Sequence, residues 1–293
     1  MAVTMADITK LRKMTGAGMM DCKNALTEAE GDYDKAMEII RKKGQAVAAK
    51  RSEREAAEGC VLAKTTGDYA VVIALKCETD FVAQNADFVK LTQDILDLAV
   101  ANKCKTLDEV KALPMGNGTV QDAVVDRSGI TGEKMELDGY MTVEGASTAV
   151  YNHMNRNGLC TIVAFNKNVD EQLAKQVAMQ IAAMSPAYLD EASVPAEVVE
   201  HEKTILAAQM KEDPKMASKP EAVLAKIAAG KMGKYYKENC LVDQEFVRSD
   251  LFQGDVKGYV ASVAKELGTE IKLNGFIRMM KGDGLEKLSL IHI

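Results

Sequence analysis

The sequence contains few of the residues on which metal and redox sites depend. Only three histidines occur, His153, His201 and His292, and none has a second histidine or a cysteine at ligand spacing. The six cysteines are scattered without a CxxC pair, several of them among apolar neighbours, which indicates reduced and mostly buried thiols. We therefore expect neither a metal nor another cofactor.

Long apolar runs and an excess of positive charge are also missing. Residues 1–7 lack the charged start and apolar stretch of a secretory signal, and no uninterrupted apolar run approaches membrane-spanning length. The net charge of −6 argues against phosphate binding as the main function. These features predict a cytoplasmic protein with a protein partner, and with no membrane and no direct nucleic-acid partner.

What the sequence does contain is enough apolar material for a folded protein. The chain has 293 residues, of which 47% are hydrophobic. That length and composition predict two or more domains with a sizeable core.

The N-terminal residues have helical periodicity interrupted by glycines. Three short helices are predicted, over residues 7–14, 19–29 and 32 to about 41. A mostly basic stretch, residues 41–54, follows. We interpret it as a helical or flexible linker, whose charges either form a solvated helix face or touch an acidic surface.

The centre of the chain repeats one order of elements. Strands over residues 59–66 and 69–77 flank a Gly67-Asp68 turn and precede an amphipathic helix around residues 88–99. The same order returns as strands 146–153 and 159–165 and a helix over 170–184. This pattern predicts a duplicated α+β unit, with a linking helix around residues 120–126 between the copies.

Prolines mark where helices begin in the next part of the chain. Pro195 and Pro220 each open a helical stretch and Pro214 lies between them, which predicts an antiparallel helical hairpin. The apolar stripe of such a hairpin is buried either by the body of the protein or by a second copy. Beyond it, a helix near residues 256–267 and a strand over 271–280 are expected, the strand joining the second sheet.

Several motifs resemble one known family. Residues 8–26 contain the run Thr15-Gly16-Ala17-Gly18-Met19-Met20-Asp21-Cys22-Lys23, and residues 77–83 read Cys77-Glu78-Thr79-Asp80-Phe81-Val82-Ala83. Further matches are Tyr151-Asn152-His153, residues 176–183, 234–238 and 275–278. Together they resemble the elongation factor Ts family over nearly the whole chain.

The resemblance implies an α+β fold with a specific division of the chain. Residues 1–54 would form a ubiquitin-associated-like three-helix domain and basic linker, and residues 55–140 the N-subdomain of the core. Residues 141–185 and 237–282 would form the core C-subdomain, and residues 186–236 a dimerisation hairpin. Residues 283–293 form an atypical tail, because Leu288–Ile293 stands where a polar, alanine-rich helix would continue.

The resemblance also implies the activity. Members of this family are not enzymes; they bind GDP-bound and nucleotide-free elongation factor Tu, disturb its magnesium and phosphate site, and promote GDP release so that GTP can bind. The matching exchange element is Thr79, Asp80, Phe81 and Val82. Phe81 would insert into the partner's nucleotide domain, and Asp80 would contact a shifted helix there.

The residues alone leave an alternative for this element. Thr79 and Asp80 could cap the following helix while Phe81 fills the core. The matching partner-contact residues are Met19, Met20 and His153. Helical periodicity places at least one of the methionines in the core and favours Met20 as the exposed one, and His153 could equally be an ordinary turn residue.

Three other functions are compatible with parts of the sequence. Gly16-Ala17-Gly18 and Gly282-Asp283-Gly284 are weak matches to phosphate loops, and glycines that end one helix and admit the next explain the first of them. Cys77 and His153 could form a nucleophilic pair, but nothing in the sequence places them together. The third alternative is an adaptor, in which the three-helix module binds some other protein and the rest of the chain is an unrelated scaffold. The element at residues 79–83 argues against this function.

Overall fold

The computed structural model describes residues 3–217 and 219–283, and the chain has the predicted α+β fold. The strands are β1 Glu58–Thr65, β2 Tyr69–Cys77, β3 Pro114–Met115, β4 Gly118–Thr119, β5 Glu136–Glu144, β6 Ser147–Asn152, β7 Leu159–Phe165 and β8 Leu273–Met280. The helices are α1 Met5–Thr15, α2 Met19–Glu28, α3 Tyr33–Lys50, α4 Asp80–Ala83, α5 Ala86–Ala101, α6 Leu107–Ala112, α7 Val120–Thr131, α8 Glu171–Met184, α9 Ala196–Glu212, α10 Pro214–Ala217, α11 Glu221–Asn239 and α12 Val256–Glu266. The atypical tail, Leu288–Ile293, lies outside the described residues.

Local capping chemistry sets the N-terminal helices. Thr4 and Asp7 form a capping box that starts α1, and Gly16 ends it with a φ of +73°, a conformation that glycine adopts without strain. Asp32 caps the start of α3 by accepting from two backbone N–H groups. The three helices then bury a small core of their own, whose largest members are Leu11 and Leu26.

The third helix is longer than predicted. It continues to Lys50 through the first part of the stretch interpreted as a linker. Arg41 lies 2.9 Å from Asp122 and 3.8 Å from Asp126, both on α7. Arg41 is therefore neutralised within the chain, and the helical alternative is right for residues 41–50.

A pair of glycines allows α3 and α7 to approach each other closely. A Cβ atom added to Gly129 would lie 2.1 Å from the Cα of Gly44, and one added to Gly44 would lie 3.3 Å from the Cα of Gly129. Backbone therefore packs directly on backbone where the helices cross. This contact is where α7 is held against the N-terminal helices.

The first large sheet has the order β1-β2-β5. Its central strand, β2, is buried over nearly its whole length, and Phe88 and Ile95 of the predicted amphipathic helix, α5, are buried as well. The third strand, β5, was not predicted, because it mixes exposed acidic residues with buried Leu137, Tyr140 and Val143. The prediction of two strands and a helix here is thus right but incomplete.

The second large sheet has the order β6-β7-β8, so the prediction that the last strand joins it is confirmed. Strands β6 and β7 pair antiparallel, from Ser147 opposite Phe165 to Asn152 opposite Cys160. Helix α8 packs on both strands. Val177 and Ile181 of this helix are fully buried in the core of the sheet, beside Phe165 and Phe276.

The helical hairpin is present as α9 and α11, each beginning directly after a proline residue. Leu206, Met210 and Met232 are buried within the chain. Self-association through this hairpin stays a prediction.

The chain divides into two compact units. One contains Val72–Met141 and the N-terminal residues up to Lys64, and the other contains Thr142–Arg278 and Thr65–Val71. The finer five-part division implied by the resemblance stays a prediction. In the described part of the chain, no helix is long and apolar enough to cross a membrane.

The glycine contact gives a stability prediction. Replacing Gly129 with alanine should lower the free energy of unfolding by about 1–3 kcal/mol, because the added methyl group overpacks the crossing of α3 and α7. The matched control is Gly230→Ala in α11, where an added Cβ meets no atom within 4 Å. That change should raise the free energy of unfolding by up to about 1 kcal/mol, since alanine favours helix more than glycine does. Equilibrium denaturation measures both, and equal effects of the two substitutions would contradict the packing account.

Candidate functional site

The exchange element, Thr79–Val82, directly follows the buried strand β2. Thr79 is the N-cap of the one-turn helix α4, and its hydroxyl accepts from the backbone N–H of Val82 at 3.4 Å. Phe81 projects from this turn with 84% of its surface exposed. The residues alone allowed an alternative in which Thr79 caps the helix and Phe81 fills the core. That alternative is right about Thr79 and wrong about Phe81.

A distant carboxylate holds the start of the element. Glu133 Oε2 accepts from the backbone N–H groups of Glu78 at 3.2 Å and Thr79 at 3.1 Å. Its Oε1 accepts from the Thr79 hydroxyl at 2.6 Å. Hydrogen bonds to an ionised acceptor are among the stronger ones in proteins. Both oxygens of Glu133 thus fix the backbone and side chain from which Phe81 projects.

The Glu78 carboxylate in turn binds the residue that follows Glu133. This carboxylate accepts from the backbone N–H of Lys134 at 2.6 Å, from Arg54 at 3.0 Å and from Arg51 at 3.3 Å. The Lys134 N–H bond, followed by the two guanidinium groups, holds the pKa of Glu78 below its ordinary value. Residues 78–79 and 133–134 therefore clasp each other through two carboxylates, an arrangement we call the carboxylate clasp.

Helix α7 delivers Glu133 to this position. Gly132 ends the helix with a φ of +74°, and the Ser128 hydroxyl donates to the carbonyl of Glu133 at 2.5 Å. The left-handed residue turns the chain directly beyond the last helical turn. The clasp therefore depends on the placement of α7.

Met19 and Met20 are the first two residues of α2, directly after Gly18. They are 38% and 64% exposed, so Met20 is the more exposed one, as expected. The expectation that at least one of them is core is wrong, because residues in the first turn lie at the open end of the helix. The buried stripe begins only at Cys22 and continues with Leu26.

His153 lies in the other compact unit, where a short 3-10 turn follows β6. Its Nδ1 lies 3.3 Å from the Tyr151 hydroxyl. The neighbouring Met154 is 65% exposed and has a φ of +54°, which is uncommon for a residue with a side chain. Sequence reasoning singled out His153 and missed Met154, the more exposed member of this turn.

The geometry does not favour the enzyme alternatives. Burial raises the pKa of the Cys77 thiol to about 12, and the charge of Glu133 adds to this effect, so the thiol is protonated at neutral pH. Gly16 ends α1 and Gly18 begins α2, as the helix-break interpretation expects. Among the residues described, no cluster of three or more histidine, cysteine or acidic side chains could hold a metal.

Comparison with known proteins decides the family. The model of the family described as Elongation factor TS matches residues 78–283, which include the exchange element and the clasp. The chain belongs to the elongation factor Ts family. Elongation factor Ts of Bacteroides thetaiotaomicron is 66% identical, with 95% of this chain and 98% of that protein covered. The proteins of the same name from Bacteroides fragilis and Porphyromonas gingivalis are 57% and 54% identical, with 95% and 85% of this chain and 98% and 89% of those proteins covered.

The sequence motif predicts an exchange element in this elongation factor Ts family member, but local sequence does not reveal the hydrogen bonds that support the segment. Glu133 lies 54 residues from Thr79 along the chain, and Arg51 lies 27 residues before Glu78. No local spacing links such positions. Gly132 is a local signal for the end of a helix, but it does not give the direction of the next side chain.

The clasp gives a pH prediction. The folded-state pKa of Glu78 lies below its ordinary value of 4.5. The ionised Glu78 carboxylate therefore stabilises the fold fully at pH values above its ordinary pKa, and this stabilisation is lost as the pH falls through the folded-state pKa. Glu78→Gln should therefore lower the free energy of unfolding by about 1 kcal/mol at pH 7, after allowance for solvent screening. The difference from wild type should shrink in acid.

Denaturant titrations from pH 7 down to acid measure this difference. Glu38→Gln is the control, since its ion pair with Lys42 is highly exposed and should contribute much less. A Glu78→Gln effect independent of pH would contradict the assignment.

Proposed function

We propose that this protein releases GDP from elongation factor Tu by inserting the exposed ring of Phe81 into the partner's nucleotide domain. As a member of the elongation factor Ts family, the chain is a nucleotide exchange factor for elongation factor Tu and not an enzyme. The observation that carries the proposed mechanism is the 84% exposure of Phe81 on an element whose base is fixed by hydrogen bonds.

Exchange needs no bond to be made or broken. An exchange factor that binds the nucleotide-free partner more tightly must, by reciprocity, weaken GDP by the same factor. A preference of about 10⁴-fold corresponds to a coupling free energy of about 5.5 kcal/mol. The contacts made by the exchange element need only favour the empty form by this amount.

Phe81 is chemically suited to this task. A phenylalanine ring buries a large apolar area and has only two side-chain torsions to immobilise. In the free protein that area is in water, so transfer into an apolar site on the partner is favourable. Insertion between packed elements would displace the region that holds the magnesium ion and the phosphates.

The other members of the exchange element have different roles. Asp80 is exposed at the first turn of α4, so its carboxylate is free to contact the helix that shifts in the partner. The Thr79 hydroxyl already donates to Glu133 and accepts from Val82, so we assign Thr79 to placement of the element. Val82 is half-buried, and its backbone N–H donates to the Thr79 hydroxyl.

Met19, Met20 and His153 supply further contacts in this proposal. Methionine side chains are flexible and polarisable, which suits an adaptable protein interface. The exposure of Met20 and the turn position of His153 support their assignment as contacts with elongation factor Tu. These contacts contribute binding rather than the exchange step itself.

The first functional prediction concerns Phe81. Phe81→Ala should lower the maximal rate of GDP release from elongation factor Tu by at least about tenfold, because a lost hot-spot aromatic typically costs 2 kcal/mol or more. Release of a fluorescent GDP analogue, with catalytic amounts of this protein, measures the rate. The control is Leu267→Ala, which removes a residue that is 52% exposed at the end of α12. Equal rates for wild type and Phe81→Ala would contradict insertion of the ring.

The second functional prediction concerns Met20. Met20→Ala should raise the concentration of this protein needed for half-maximal exchange about two- to tenfold and leave the maximal rate nearly unchanged, as expected for uniform binding. The same release assay at increasing factor concentration separates the two quantities. Loss of maximal rate without weaker binding would move Met20 into the exchange step.

A further inference from the structure

We infer that Glu133 is the positioning residue of the exchange element and sets the rate of GDP release through the placement of Phe81. This inference rests on the proposed insertion of Phe81. It assigns to Glu133 a role in exchange that requires no contact with the partner.

The hydrogen bonds place Glu133 at the base of the element. Three donors converge on its carboxylate, two from the backbone at residues 78 and 79 and one from the Thr79 side chain. That hydroxyl is also the group that caps α4, since it accepts from Val82 N–H. Donation to Glu133 therefore orients the Thr79 oxygen toward the helix that carries Phe81.

The exchange element has little else to hold it. Helix α4 is only four residues long and has no buried residue. An isolated turn of this length is unstable in water. Cys77 Sγ donates to the carbonyl of Thr79 at 3.3 Å, but a thiol is a weak donor. The ionised acceptor is thus the strongest described contact at the start of the turn.

Glu133 is itself held firmly enough to act in this way. Its main chain follows Gly132 and accepts the Ser128 hydroxyl, and Lys134 N–H binds the Glu78 carboxylate. Each side of the clasp therefore fixes the other. A pre-positioned ring avoids the ordering cost that a mobile loop would bear on binding.

The test compares Glu133→Ala with Glu133→Gln in the fluorescent GDP release assay. Glu133→Ala removes all three bonds and should lower the maximal rate about tenfold or more. Glu133→Gln keeps an amide oxygen for the backbone donors and should recover most of the rate. The control, Glu136→Ala, removes an exposed side chain that forms an ion pair with the Lys134 ammonium group at 3.2 Å, and it should leave the rate unchanged.

A double-mutant cycle separates positioning from a general structural defect. If Glu133 acts through Phe81, Glu133→Ala should change the rate of the Phe81→Ala variant by less than about threefold. A general loss of folded protein would instead multiply the two effects. Thermal unfolding of each variant reports the folded fraction, and if Glu133→Ala does not fold, Thr79→Val, which removes the hydroxyl bond to Glu133, replaces it in the cycle.

The outcomes distinguish this inference from the proposed function. Wild-type exchange that is unaffected by Phe81→Ala overturns ring insertion, and with it the role of Glu133. A strong Phe81→Ala effect together with an unchanged rate in Glu133→Ala overturns only the positioning role. Independent, multiplying effects of the two substitutions also overturn it.

Discussion

The carboxylate of Glu133 is the contact on which the position of the turn that carries Phe81 depends. An exposed aromatic ring on a one-turn helix has no packing of its own to define its direction. Three hydrogen bonds from residues 78 and 79 to one ionised side chain supply that definition. The Glu78 carboxylate, held by Lys134 N–H and two arginines, closes the clasp from the other side.

The elements around the clasp are arranged so that both carboxylates reach it. Gly44 and Gly129 allow α3 to pack directly on α7, and Glu133 follows the end of α7. Arg51 and Arg54 follow the end of α3 and reach Glu78. The helix crossing thus contributes to the position of the clasp, although it carries none of the proposed contact residues.

Much of the fold followed from periodicity and capping signals in the sequence. Strands β1 and β2, helix α5 and their second copies have clear apolar patterns, since β2 and β7 are buried over nearly their whole length and helices α5 and α8 each bury one face. Strand β5 was missed because its alternating acidic and apolar residues and an internal glycine obscure the pattern. The length of α3 was underestimated because its basic residues resemble a solvated linker, whereas Arg41 in fact pairs with Asp122.

The candidate site, like the fold, could be predicted from the sequence only in part. The motif at residues 79–82 predicts an exchange element, but local sequence does not decide whether Phe81 is core or exposed. That decision depends on what packs around α4, and the support from Glu133 arises only when residues 54 positions apart come together. Long-range hydrogen bonds of this kind have no signature in a single sequence.

If Glu133 holds the turn at residues 79–82, that turn is already formed in the free protein. Hydrogen exchange of the backbone N–H groups of Thr79 and Val82, measured without and with nucleotide-free elongation factor Tu, distinguishes this from a turn that forms on binding. Both groups should be protected in the free protein and gain little protection on binding. Rapid exchange of both groups in the free protein, with protection arising only in the complex, would show instead that the partner orders the turn.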